Sequence, residues 1–250
     1  MTTSAERALL NSVAQRLSAT STPHARRAEP LTGDPDPAGL VWYAAYGSNM
    51  HADRLKCYIA GGRPPGGART YPGCRDRQLP RHTMPVLLPG LLYFALESAV
   101  WTGGMGFYDP SQEGEMPARA YLVTAEQFAD IAAQEMYQDP GVDLDLTRAL
   151  AVGRDQLGPG RYETLVCPGM IDGIPVCTFT APWSLREAEL NPPSAGYLAN
   201  FASGLVEAHG WLLERSAEYL STRPGASGYW TTQAILGALS ASRTVDVSSA

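Results

Sequence analysis

The pattern of apolar and polar positions divides the chain into parts. Near the N-terminus, Leu9, Leu10, Val13 and Leu17 are spaced as one short helix over 5–17. The stretch Ser18 to Gly39 follows, rich in Ser, Thr, Pro, Asp and Gly and without periodicity, and reads as linker. Strand and helix patterns occupy about 39–222. From Arg223 onward a small apolar segment ends in polar residues, the pattern of a loosely held tail. The expected organisation is therefore an extension over 1–38, one domain over 39–222 and a tail over 223–250. No internal repeat of solenoid period is present.

Within the middle part, Val41 to Tyr46 is an apolar and aromatic run, as in a buried strand. Gly47-Ser48-Asn49 breaks it, and the next residues, MHADRL, have helical character. Gly61 to Gly73 is a Gly/Pro-rich loop. Strands are expected over 90–97 and 118–123, then a helix over 124–135 opened by a Thr124/Gln127 capping box. Two more strands, 162–167 and 175–180, flank Asp172-Gly173, a hairpin signal. A long helix over 197–220 carries Leu198, Phe201, Leu205, His209 and Leu212 on one stripe, with Gly204 and Gly210 as weak points. Helices interrupt the strands without regular alternation, which favours a mixed or antiparallel α+β sheet or barrel over a doubly wound fold.

Composition then removes several functions. With 250 residues the chain is long enough to bury a core. Hydrophobic residues are 44% and charged residues 18%, as in globular chains. The net charge of −6 argues against a generic nucleic-acid or anionic-membrane partner. The longest apolar stretch, 84–96, is broken by Pro85, Pro89 and Gly90 and is too short to span a bilayer. The N-terminal residues lack an apolar core of signal-peptide length, so a cytoplasmic protein is expected. Cys57, Cys74, Cys167 and Cys177 form no Cys-x-x-Cys pair, and His24, His51, His82 and His209 lie far apart, so spacing offers no metal motif. Cys167 and Cys177 flank the expected hairpin, where a disulfide is possible but unforced.

Two local features carry chemistry. The first is the strand, then Tyr46-Gly47-Ser48-Asn49, then helix. Glycine permits the sharp turn, Ser48 or Asn49 can cap the helix, and unpaired N–H groups gather where an oxyanion would bind. An ordinary capped turn has the same pattern. The second is Glu135. Phe128, Ile131, Ala132 and Glu135 are spaced i, i+3, i+4, i+7, so the carboxyl continues an apolar stripe. Desolvation and the negative helix end would both raise its pKa, which suits general acid–base work. A frayed last turn with Glu135 in water fits the same pattern.

These features together resemble the gamma-glutamylcyclotransferase-like superfamily. The run Tyr43-Ala44-Ala45-Tyr46-Gly47-Ser48-Asn49-Met50 is similar to its Y-G-S-N-[LM] signature. Trp101-Thr102-Gly103-Gly104 resembles its W-x-G-G segment, and 118–135 resembles the strand and helix that deliver its catalytic glutamate, here Glu135. Tyr162 sits where some members have an active-site tyrosine, and Pro193-Ser194-Ala195-Gly196-Tyr197 resembles the P-S-x-x-Y element. The resemblance spans roughly Val41 to Leu220.

The resemblance implies a small mixed β-barrel with flanking α-helices, acting without metal or organic cofactor as a monomer or homodimer. It implies cleavage of a gamma-glutamyl amide by the substrate's own alpha-amine, giving 5-oxoproline and a free amine. The partner would be a small gamma-glutamyl amine or peptide. Glu135 would be the general acid–base group. Gly47, Ser48 and Asn49 would hold anionic oxygen, and Tyr46 would shape the pocket. Tyr162 and Tyr197 would donate hydrogen bonds, and Gly103 and Gly104 would let backbone approach the pocket. An amide hydrolase or acyl-transferase on the same scaffold is the alternative. Two departures matter: Met136-Tyr137 stands where the better-known member has glycine, and Arg119 occupies a usually apolar strand position. Arg119 either points outward as a surface charge or inward to Glu135. The arginine-bearing loop 74–82 is either solvated charge or a lure for acidic substrate.

Overall fold

The computed structural model describes residues 25–31, 39–64, 67, 69–98 and 101–247, with side chains to 240. The helix expected over 5–17 and most of the expected linker lie outside these residues. In chain order the elements are β1 (Arg26–Arg27), β2 (Leu40–Ala45), a 3-10 turn (Ser48–Met50), α1 (Ala52–Ala60), β3 (Thr83–Pro89), β4 (Leu91–Ala95), β5 (Met105–Asp109) and β6 (Glu115–Thr124). There follow α2 (Ala125–Glu135), α3 (Thr147–Val152), β7 (Arg154–Gln156), β8 (Thr164–Ile171), β9 (Ile174–Thr180), α4 (Ala195–His209), α5 (Leu213–Ser221) and α6 (Thr232–Val247).

The architecture is α+β. A seven-stranded mixed sheet has the order β1-β3-β6-β2-β9-β8-β7, and β4 and β5 form a separate ribbon. Hydrogen bonds do not close the large sheet into a ring. The ribbon is tied to β9 through Thr180, whose hydroxyl donates to Tyr108 C=O (2.7 Å) and accepts from Tyr108 N–H (3.0 Å).

Every residue of β2 is buried because both faces of the sheet are covered. Trp42 and Ala44 join a core with β4, Tyr108 of β5, α4, α5 and α6. Val41, Tyr43 and Ala45 face the opposite core, built with α1 and α2. The turn after β2 therefore emerges between two helical layers. Helix α2 begins as expected: Thr124 Oγ1 accepts from Gln127 N–H (3.0 Å), and Gln127 Oε1 accepts from Thr124 N–H (3.2 Å). The β8–β9 hairpin turns at Asp172-Gly173, with φ of 53° and 77°. Cys167 and Cys177 on these strands are free thiols.

Several expectations need correction. The segment read as linker contains β1, which pairs in parallel with β3 at Arg26↔Val86 and Arg27↔Leu87. Strands β3 and β5 were not expected. Proline hides the first: Pro85 and Pro89 fall within β3, next to the two-residue edge strand β1. The single helix expected over 197–220 is two. Gly210, at φ 64°, ends α4 in the left-handed conformation, and Leu212 is exposed. The expected tail contains α6, whose Ile235 and Leu239 are buried in the first core.

His209, in the last turn of α4, faces β6 and donates from Nε2 to Ala118 C=O (3.0 Å). Burial lowers its pKa from 6.5 to about 4. The unfolded chain binds this proton more readily, so His209 costs stability as pH falls through that window. The urea midpoint is expected to drop between pH 6.5 and about 4, and His209→Gln, which keeps a donor, should flatten that part of the profile. An unchanged profile in the variant would remove His209 from acid sensitivity.

Candidate active site

The site begins where β2 ends. Met50 N–H bonds to Gly47 C=O (3.0 Å) and His51 N–H to Ser48 C=O (3.3 Å). The N–H groups of Ser48 and Asn49 precede the first of these bonds and have no partner within the turn. Tyr121, paired with Tyr43 across β2 and β6, donates its hydroxyl to Asn49 C=O (3.0 Å) and holds the turn from below. Neither Ser48 nor Asn49 caps α1. That helix instead receives Glu207 of α4, whose Oε1 accepts from Ala52 N–H (3.1 Å) and whose Oε2 meets His51 Nδ1 (2.8 Å).

The Asn49 side chain is committed elsewhere. Only 3% exposed, it donates from Nδ2 to Glu135 Oε1 (2.8 Å) and more weakly to Tyr43 Oη (3.4 Å). Its Oδ1 is buried without a hydrogen-bond partner. A buried amide oxygen left this way favours an N–H donor from a bound molecule.

Glu135 is the last residue of α2 and does not fray. Tyr137 N–H bonds to Gln134 C=O (3.3 Å) and Gln138 N–H to Ala133 C=O (2.8 Å), the two bonds of a Schellman ending. Tyr137 takes the left-handed position at φ 61°, a conformation normally given to glycine. With Phe128, Ile131 and Ala132 fully buried on the same stripe, the Glu135 carboxyl is carried inward. The residue is half-buried, yet its carboxyl end is enclosed densely enough that lost solvation is the largest influence on it. Burial raises its pKa. The Tyr58 hydroxyl, Arg54, Asn49 and Arg69 act in the opposite direction.

Those opposing groups, apart from Asn49, were not singled out from sequence. Leu55, Tyr58 and Ile59 bury one face of α1, and Arg54 lies beside them. Arg54 Nη2 donates to Tyr71 Oη (3.0 Å), and the hydroxyls of Tyr71 and Tyr58 are hydrogen-bonded (2.9 Å). The two rings stack at 3.9 Å. Only the apolar spacing around Tyr58 signalled burial; that Tyr71 meets it depends on the fold of the intervening loop. Gln134 fixes that loop, donating to Tyr58 C=O (2.9 Å) and accepting from Gly73 N–H (3.3 Å).

The remaining expected residues fall into distinct groups. Tyr46 is buried and donates to Phe179 C=O (3.0 Å). Tyr162, in the turn before β8, donates to Gly106 C=O (3.3 Å), and Tyr197 accepts from Gly106 N–H (3.3 Å). Both phenols are close enough to feel the charge of Glu135, and burial raises their pKa values, that of Tyr197 to about 12. Gly103 and Gly104 do approach backbone closely, but the backbone is that of 191–194. A Cβ on Gly104 would lie 2.0 Å from Asn191 C=O oxygen, and one on Gly103 2.5 Å from that of Pro192. Arg119 does not meet Glu135: it pairs with Glu207 and donates to Thr83 Oγ1 (3.0 Å) and Met50 C=O (3.1 Å). In the 74–82 loop, Arg75 pairs with the buried Asp130 (3.0 Å) and with Asp143 (2.7 Å). Arg77 binds the carbonyls of Ala60 (3.3 Å) and Pro72 (3.1 Å), so these two arginines hold structure together.

No protein-family profile matches the chain. Histone deacetylase 5 of Arabidopsis thaliana is 33% identical over 198 residues, which cover 71% of this chain and 30% of that protein. The chain thus spans under a third of this relative's length. Among solved structures, the uncharacterised human protein LOC79017 is similar at TM-score 0.43 and 16% identity, over 81% of this chain and 99% of that one. A gamma-glutamyl cyclotransferase is similar at TM-score 0.40 and 16% identity, with the same coverage. YkqA of Bacillus subtilis is similar at 0.37 and 15%, over 74% of this chain and 55% of that one. The likeness is coarse, and the architecture stands on the chain's own strand order and register. No helix among the described residues is long and apolar enough to cross a membrane, and no group of three or more metal-ligating side chains is present among them.

Two outcomes follow from this geometry. Because the folded state holds the Glu135 proton more tightly than the unfolded chain, Glu135 costs stability as pH rises through the interval from the ordinary glutamate range to its own raised pKa. Glu135→Gln should therefore melt at or above the wild-type temperature at neutral pH, with the difference vanishing in acid. A lower melt at neutral pH would mean that the carboxylate is stabilising. Gly104→Ala should destabilise by about 1–3 kcal/mol through overpacking against Asn191, as read by urea denaturation.

Proposed function

We propose that the chain is a cyclotransferase that cleaves a gamma-glutamyl amide by intramolecular attack, releasing 5-oxoproline and a free amine. The observation that carries this reading is the Asn49 Nδ2 to Glu135 Oε1 hydrogen bond of 2.8 Å, which joins an acid–base group to the Y-G-S-N turn. In this reading Glu135 takes a proton from the substrate's alpha-ammonium. The freed amine attacks the gamma-carbonyl, forming the ring N–C bond, and collapse breaks the original amide C–N bond. Glu135 returns its proton to the departing nitrogen, and the second proton shed by the ring nitrogen leaves with the freed amine as its ammonium, so the enzyme ends unchanged. Raised proton affinity suits both steps.

The remaining groups have supporting roles. The Ser48 and Asn49 N–H groups would receive anionic oxygen of the glutamyl unit, with Gly47 shaping the turn. The unpartnered Asn49 Oδ1 would accept from the reacting amine. Tyr46, Tyr162 and Tyr197 would wall the ring-forming pose. Ring closure needs little beyond that pose, because the nucleophile and carbonyl belong to one molecule.

A second reading is hydrolysis of an amide by water, with the same carboxyl as base. The name of the Arabidopsis relative, a deacetylase, is the observation in its favour, although the match covers 30% of that protein. Product analysis separates the two. Incubation with gamma-glutamyl amines, gamma-glutamyl amino acids and glutathione should give 5-oxoproline by mass spectrometry. Free glutamate would favour the hydrolase instead. Glu135→Gln should lower turnover by at least about 10²-fold; wild-type rates in that variant would exclude Glu135 from the chemistry.

A further inference from the structure

Cys167 and Cys177 are free thiols that the hairpin of β8 and β9 sets against each other. The register runs Val166↔Thr178 and then Gly169↔Val176, with a bulge between, so Cys167 and Pro168 on β8 face Cys177 alone on β9. Residues opposed in an antiparallel pair have Cα atoms about 4.5–5.5 Å apart, within the roughly 4.4–6.8 Å that a disulfide spans. Direction agrees with spacing. Val166 and Val176 face the core built with α4, whereas Cys167 and Cys177 both face the core built with α1 and α2. The Cys167 Sγ also lies 3.6 Å from the Gly169 C=O oxygen, which keeps it over the bulge. The other two thiols are turned to backbone on α1 and in the loop after it: Cys57 meets Asp53 C=O (3.5 Å) and Cys74 meets Tyr58 C=O (3.4 Å).

We propose that Cys167 and Cys177 are a modification site at which a small peroxide forms a reversible disulfide. The Cys167 sulfur attacks one peroxide oxygen and breaks the O–O bond, giving a sulfenic acid and one water that carries the Cys167 proton. The Cys177 sulfur then attacks Cys167. The S–S bond forms, the S–O bond breaks, and the hydroxyl leaves as a second water with the Cys177 proton. The two thiols lose two electrons, and hydrogen peroxide is reduced to two waters. Cys167 reacts first, because the Cys177 thiol beside it holds its pKa below the ordinary thiol value. Burial pushes the Cys74 thiol up to about 12, so it does not compete. Both sulfurs are covered, with Cys167 2% and Cys177 3% exposed. The cover includes α3, a helix of six residues, and β7, an edge strand of three, where Gly153 C=O holds Cys167 N–H (2.9 Å). Local opening of these two short elements admits a molecule little larger than water and leaves the β8–β9 pairing in place. Cys177 pairs with Tyr43 of β2, so the new bond lies one strand from the candidate site.

The test treats the native, full chain with hydrogen peroxide, then denatures it, alkylates the remaining thiols and maps the peptides by mass spectrometry. Reduced protein should be alkylated at all four cysteines. Treated protein should escape alkylation at Cys167 and Cys177, lose about 2 Da and yield one linked peptide joining those two residues. Dithiothreitol added to the native protein should restore both thiols. Cys177→Ser should give no link and should leave Cys167 as a sulfenic acid that dimedone captures. Wild-type mapping carries the test if that variant does not fold. The proposal is overturned if both thiols stay alkylatable after an exposure that fully oxidises free glutathione. It is overturned equally by a link through Cys57 or Cys74, by Cys167 carried to a sulfinic acid with Cys177 still free, or by a bond that dithiothreitol does not open. The readout needs no substrate and is independent of the activity proposed above.

Discussion

A carboxyl group at the end of a helix, facing inward, is opposed twice: by lost hydration and by the negative end of the helix that carries it. Much of the surrounding structure answers to that opposition. The Schellman ending prevents the last turn of α2 from unwinding and releasing Glu135 to water. Asn49 supplies an N–H from the turn after β2 (2.8 Å). Tyr137 accepts a left-handed backbone to complete the ending, and its ring lies under the Arg69 guanidinium at 4.7 Å. Strain at Tyr137 and burial at Glu135 are local conflicts that only the tertiary fold sustains.

The same demand explains the missing helix cap. An asparagine just before a helix ordinarily turns its side chain back onto the first N–H groups. Here Asn49 is used by Glu135, so Glu207 reaches across from α4 to serve Ala52. Glu207 also binds His51 and Arg119. Desolvation works against its charge, but these hydrogen bonds and the arginine outweigh it and hold its pKa low. The turn is thereby supported from β6, α2 and α4 together.

Features encoded over a few residues were legible in the sequence. The capping box at Thr124, the hairpin at Asp172-Gly173 and the inward spacing of Glu135 each follow from a local rule, and each is present. The direction of Arg119 was undecidable, because a strand residue's surroundings depend on what packs against its face. The concern it raised, a cation lowering the proton affinity of Glu135, was sound physics attached to the wrong arginine. Arg54 acts in that direction; its own hydrogen-bond partner is Tyr71, brought in by a loop whose course depends on Gln134 and on Arg75 with Asp130. Prolines concealed β3, and Gly210 stopped a helix whose apolar spacing continued past it.

Gly204 on α4 packs against the turn so closely that an added Cβ would lie 3.1 Å from the Met50 Cβ. The seam transmits displacement: a methyl group there would press, through Met50, on the segment bearing Ser48 and Asn49. Under the proposed function, ligand preference would then be adjustable from a helix position outside the turn, by tenths of an ångström, while Glu135 stays in place.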